Sequence, residues 1–268
     1  MLKLRKNPML NFESSLTYQK DKRRRLYFLV FVSWFILAFV ALKIPQGVYS
    51  DPAYGFKALM QNIFESSPSI NHSVSPMNSD ISQLEADWIY WWPAGSQLMV
   101  YPLIRNGVPL GVAVRSIVLV CMLTGAMGWM CWVLKFRLPF FWNLIFALFL
   151  PWNHYATDSI SRYSAEVCVF AISPWILCGA MQFGQILDQG KKISYSISAG
   201  LGIFMSSLFL FKYTGIFIAF GALAYLGIKV SSGYLQKKYK KDAIHAYLIL
   251  GISFVMLPLV QNFLNFKL

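Results

Sequence analysis

Apolar positions in this chain fall in long blocks separated by short charged or proline-bearing breaks. A membrane crossing takes about 20 predominantly apolar residues, and the blocks are close to that length. Leu26–Leu42 is an uncharged run preceded by KDKRRR. With basic flanks and no small-residue cleavage site, it predicts a retained anchor rather than a removed signal peptide. Ser116–Leu134 predicts a second span, Phe140–Trp152 a short third, and Val167–Leu187 a fourth, kinked where Pro174 removes a backbone donor. From Ile193 to Ile228 only Lys212 interrupts the apolar run, so two helices joined by a tight turn near Lys212–Gly215 are expected. Ala243–Phe266 is the last block. The predicted fold is an all-α polytopic membrane helix bundle of about seven spans.

Between the first two spans lies a loop, residues 44–114, whose centre SSPSINHSVSPMNSD is polar. Its end, DWIYWWPAGSQLMVYPLI, is aromatic and broken by prolines. Trp and Tyr favour the membrane interface, so this end predicts a half-helix lying on the membrane surface. The expected organisation is a basic N-terminal segment, 1–25, followed by a membrane domain, 26–268.

Composition agrees with lipid as the solvent. The chain is 57% hydrophobic and 13% charged, where soluble domains carry about 25% charge. The net charge of +13 does not point to nucleic acid, because the cations sit between apolar runs and form no groove-sized patch. Anionic lipid is the simpler partner. Most of the 24 basic residues fall in 1–25, 135–137, 188–192 and 229–242, whereas the alternate connections hold few, among them Lys57, Arg105, Arg162 and Lys212. The positive-inside bias then places the N-terminus in the cytoplasm and the C-terminus outside a cell membrane. Cys121, Cys131, Cys168 and Cys178 all lie in apolar runs without ligand spacing and read as small buried residues.

Candidate chemistry concentrates at the outer span ends. Asp51 stands just past the first span; it is either a general base with a raised pKa or, with Ser50 and Pro52, a helix cap. Asp158, Arg162 and Glu166 recur every four residues, which on one helix gives two opposite-charge contacts on a shared face. They are a structural ladder or part of a site. Lys212 and Arg115 suit a lipid phosphate, or they extend to headgroups; the second span is long enough for Arg115 to sit at the surface without a partner. His154 beside Asp158 is a weak metal signal, and no cofactor is implied, although a divalent metal stays open. No Walker loop, GxGxxG, HExxH or GxSxG pattern is present.

Taken in order, four segments resemble the N-terminal half of the GT-C class of polytopic glycosyltransferases, which includes the protein O-mannosyltransferases and the lipid A aminoarabinose transferase. They are SDPAYGFKALMQNI, WWPAGSQLMVYPLIRNGVPLGVAVRSI, FALFLPWNHYATDSISRYSAE and LFKYTGIF. The resemblance implies a polyprenyl-phosphate-linked sugar donor used on the outer face. It makes Asp51 the first-loop acid that activates or orients the acceptor, and Asp158 the second-loop acid. Arg115, Arg162, Glu166 and Lys212 become substrate-binding positions. The chain departs from the family where Pro52 follows Asp51 in place of a second acid, and in its length. A shortened relative, or a half completed by a second membrane subunit, is therefore expected. Two other readings stand beside it: a non-catalytic partner in envelope polysaccharide assembly, and a transporter, which the absence of a visible repeat disfavours.

Overall fold

The computed structural model of the protein describes residues 8–44, 56, 72–74, 86–88, 95–236, 239 and 241–267. Helix α1 is Pro8–Ala41; a short antiparallel pair, β1 (His72–Val74) and β2 (Ala86–Trp88), aligns Ser73 with Asp87. Helices α2 (Gly95–Arg105), α3 (Leu110–Leu134) and α4 (Phe140–Phe149) follow, then a 3-10 turn at Leu150–Trp152 and α5 (His154–Ser161). The rest is α6 (Glu166–Asp188), α7 (Tyr195–Phe211), a 3-10 turn at Tyr213–Gly215, α8 (Ile216–Leu235) and α9 (Lys241–Lys267). Among the described residues, four segments are long and apolar enough to cross a membrane: Asp21–Ala41, Leu110–Leu134, Glu166–Asp188 and Tyr213–Leu235. That property marks the chain as a membrane protein.

Local chemistry explains the breaks. Pro109 and Pro139 immediately precede α3 and α4, where a missing N–H costs nothing. Ser194 caps α7 by accepting the Ile197 N–H at 3.3 Å. Gly190, at φ +67°, closes α6, with Lys191 N–H bonded to the Ile186 carbonyl at 3.2 Å. Pro174 lies within α6 without ending it.

Side-chain contacts fix the helix directions. Lys22 sits 4.9 Å over the Phe140 ring and Ser33 donates to the Leu148 carbonyl at 2.5 Å, so α1 and α4 run parallel. Trp175 donates to the Thr124 carbonyl at 3.1 Å, and Gly125 and Gly128 of α3 lie against Phe170 and Pro174 of α6. Hence α3 and α6 are parallel to each other. Gly215 near Val169, and Lys229 bonded to Asp188 at 2.6 Å, set α8 in the same direction. Gly202 of α7 abuts the Leu250 carbonyl of α9, while Lys192 reaches Asp242 at 3.8 Å. The connections at 135–139 and 189–194 therefore share one end of the bundle with Lys22 and Lys241. Ile44, Arg105, Arg162 and Lys212 belong to the other.

The third block, Phe140–Trp152, folds as the ten-residue α4 and the 3-10 turn that continues it, and the chain resumes as α5 after Asn153 Nδ2 donates to the Leu150 carbonyl at 2.7 Å. The aromatic half-helix has one face turned to the bundle. In α2, Gly95, Ser96, Gln97, Val100 and Ile104 are buried, and only a glycine fits at 95, where a Cβ would come 2.3 Å from the Leu210 carbonyl. The helix is packed into the bundle by its own apolar stripe.

Candidate functional site

Lys212 and Glu166 form the centre of the Lys212 end. Lys212 terminates α7 in an extended conformation, φ −159° and ψ 132°, which swings its side chain away from the helix it ends. Glu166 opens α6. The ammonium donates to Glu166 Oε1, and the Ser164 hydroxyl donates to Oε2. Ser164 Oγ in turn accepts the Glu166 N–H at 3.2 Å, so one hydroxyl fixes both the carboxylate and the first turn of α6. The side chains of Lys212 and Glu166 keep 28% and 34% of their exposure, so the pair borders solvent or headgroups rather than the interior.

The pair is recessed. Cys168 of α6 lies beside Cys121 of α3, and α3 begins at Leu110. Since the two helices are parallel, Glu166 sits about 14 Å below the first turn of α3 by the rise per residue. Beneath it opens a cavity of about 250 Å³ lined by Trp129, Val169, Phe170, Ser173 and Ile218, with Glu166 and Lys212 at its polar margin. Trp129 stacks on Phe170 at 6.4 Å, and its buried Nε1–H has no hydrogen-bond partner. The arrangement places an ammonium–carboxylate pair at the edge of an apolar slot, which suits an amphiphile with a polar head.

The other residues singled out in the sequence stand in different relations to this pair. Asp158 accepts from Arg162 Nε at 2.8 Å, as the four-residue spacing predicts. The ladder ends there. Helix α5 stops at Ser161 and α6 starts at Glu166, so the two elements break the common face and Glu166 takes Lys212 instead of Arg162. Arg115 is not partnerless: Nη2 donates to the Ile44 carbonyl at 2.8 Å, tying the end of the α1 segment to α3, although its buried Nε has no partner. Asp51 lies outside the described residues. Phe56, five positions on, packs on Tyr163 with ring centroids 5.4 Å apart. His154 and Asp158 gain no third ligand; no group of three metal-ligating side chains occurs among the described residues.

Sequence reasoning missed Tyr163. It is 2% exposed and donates to the Ser96 carbonyl at 2.7 Å, joining the start of α2 to the α5–α6 connection beneath Phe56. Burial pushes its phenol up from the ordinary value, with the thiols of Cys168 and Cys121 adding to the shift. Its only signal in the sequence is an aromatic residue between Arg162 and Glu166. Comparison with family models, with curated proteins and with solved structures returns no match for this chain.

Proposed function

We propose that the chain is a membrane-embedded transferase of GT-C type that holds a polyprenyl-phosphate-linked sugar at the Lys212 end and passes the sugar to an acceptor hydroxyl. The observation that carries this reading is a recessed ammonium, held by Glu166, above an apolar slot. A lipid-linked sugar phosphate needs both: a cation for the phosphate that leaves and a dry groove for the isoprenoid. In this reading Asp51 is the base that takes the acceptor proton. Asp158, braced by Arg162, orients the acceptor. Arg115 holds the start of the outer loop in place. The chain crosses the membrane seven times, with α4 and α5 forming one broken crossing and the N-terminus inside.

The test is transfer of labelled sugar from a polyprenyl-phosphate donor by membranes containing the chain. Asp51→Asn should abolish turnover with expression unchanged, and Lys212→Met should weaken donor use. Full turnover in both variants overturns the site. A second reading has an observation of its own: Glu166 already matches the Lys212 charge, as in a structural strut. On that reading the chain is a non-catalytic member of an envelope-polysaccharide assembly. Co-purification with another multi-pass subunit, without turnover by the chain alone, would favour it.

A further inference from the structure

The opposite end of the bundle holds a second cavity, of about 610 Å³, lined by Lys22 and Arg23 of α1, Lys135 and Arg137 of the α3–α4 turn, Asn143 of α4 and Gln185 of α6. Four cations face it, and no described carboxylate lines it. Like charges brought together lose energy unless an anion joins them, so the composition of the lining already calls for a ligand.

Two further features are independent of the charge count. Arg137 has φ +53°, the left-handed region that glycine occupies at the other two described turns of this kind, Gly107 and Gly190. A β-carbon there is disfavoured, and an arginine side chain kept at a strained position within a cavity lining is a signature of function. Asn143 is 3% exposed. Its Nδ2 donates to the Leu138 and Pro139 carbonyls at 2.9 and 3.3 Å, which fixes the amide orientation. Its Oδ1 is buried and accepts nothing. An unpaired acceptor on a residue of the cavity lining calls for a donor.

We propose that this cavity binds the headgroup of an anionic glycerophospholipid whose phosphodiester carries a free hydroxyl, as in phosphatidylglycerol. The phosphate sits among Lys22, Lys135 and Arg137, and the headgroup hydroxyl donates to Asn143 Oδ1. Phe140, under Lys22, and Leu138 offer the acyl chains an apolar exit beside α4. The site lies at the end away from Lys212 and stands whether or not the chain transfers a sugar.

The experiment uses the full chain purified in detergent, with lipids added singly and binding read by native mass spectrometry. Phosphatidylglycerol should be retained in preference to phosphatidylcholine and phosphatidic acid. Arg137→Gly removes the charge while suiting the backbone better, so thermal stability without lipid should hold or rise as phosphatidylglycerol binding falls about fivefold. Lys22→Gln with Arg137→Gly should lower it by about 25-fold. Retention of all three lipids alike, or unchanged selectivity in the double variant, overturns the proposal. So does soluble glycerophosphate that binds as tightly as the lipid, since the source would then be a free phosphoester.

Discussion

The carboxylate of Glu166, at the first residue of α6, holds the ammonium of Lys212 at the break between α7 and α8. The pair couples two helix ends 46 residues apart in sequence. Both side chains are partly exposed, so the coupling is worth on the order of 1 kcal/mol. Glu166→Gln and Lys212→Met should each lower stability by about that amount. The swapped pair, Glu166→Lys with Lys212→Glu, should recover most of the loss but not the binding of a polyprenyl phosphate, because position 212 then carries a carboxylate instead of the cation. Thermal melts in detergent and a lipid-phosphate retention assay separate the two effects. A swapped pair with full retention would remove Lys212 from the site.

A polar brace inside the α1–α4 contact gives a second outcome. Ser33 is 6% exposed, donates to the Leu148 carbonyl at 2.5 Å and accepts from Trp152 Nε1 at 3.0 Å. In a lipid-facing bundle no water replaces these bonds. Ser33→Ala strands the indole donor and should cost about 1–2 kcal/mol. Ser207→Ala, on a hydroxyl that is exposed and bonds only within its own helix, is the matched control and should cost a few tenths of a kcal/mol.

The helices were readable because lipid imposes one simple pattern. Apolar blocks give the starts of α4, α6 and α7 to within two residues, and the break at Lys212 follows from one charge in an apolar run. What was not readable depends on partners distant in sequence. Nothing near Glu166 says that its cation is Lys212 rather than Arg162; that depends on α5 ending at Ser161. The burial of α2 depends on Gly95 meeting Leu210, and the role of Tyr163 on Ser96. The cationic cavity was not readable either, because it joins Lys22 and Arg23 to Lys135 and Arg137 across more than 100 residues, and neither the backbone strain at Arg137 nor the open acceptor of Asn143 leaves a trace in residue type.

Gly202 sets the closeness of α7 and α9. A Cβ there would lie 2.3 Å from the Leu250 carbonyl, which is backbone and cannot rotate aside. Small residues at such crossings let membrane helices approach. Gly202→Ala should cost about 2 kcal/mol, whereas Gly200→Ala, with nothing within 4 Å, should cost nothing. Equal melting temperatures for the two variants would show that this crossing is looser than described.

Tyr163 should make the fold alkali-sensitive. Burial raises its phenol above the ordinary value near 10, and Tyr239, desolvated and bonded to Asp188, is raised as well. The neutral form is the one the fold prefers. Its contribution is fully present below pH 10 and is lost as pH rises through the folded-state value. Tyr163→Phe loses the bond to Ser96, about 1 kcal/mol at neutral pH, but has no phenol at this position to ionise. Its stability curve should therefore fall less steeply than that of the parent between about pH 10 and 11.5. Parallel curves would exclude Tyr163 as the source.

Orientation can be decided at two connections. Asn106 and Lys191 are both exposed and lie at opposite ends of the bundle. The four native thiols are free, with Cys121, Cys168 and Cys178 buried, so they react slowly with a polar maleimide. If the basic connections face the cytoplasm, Asn106→Cys should label in intact cells with a membrane-impermeant reagent. Lys191→Cys should label only after permeabilisation. The reverse result would invert the chain and move the Glu166–Lys212 pair to the cytoplasmic face, where a donor presented outside could not reach it. Labelling of both in intact cells would mean that the two ends are not separated by a membrane, and the transferase reading would fall with them.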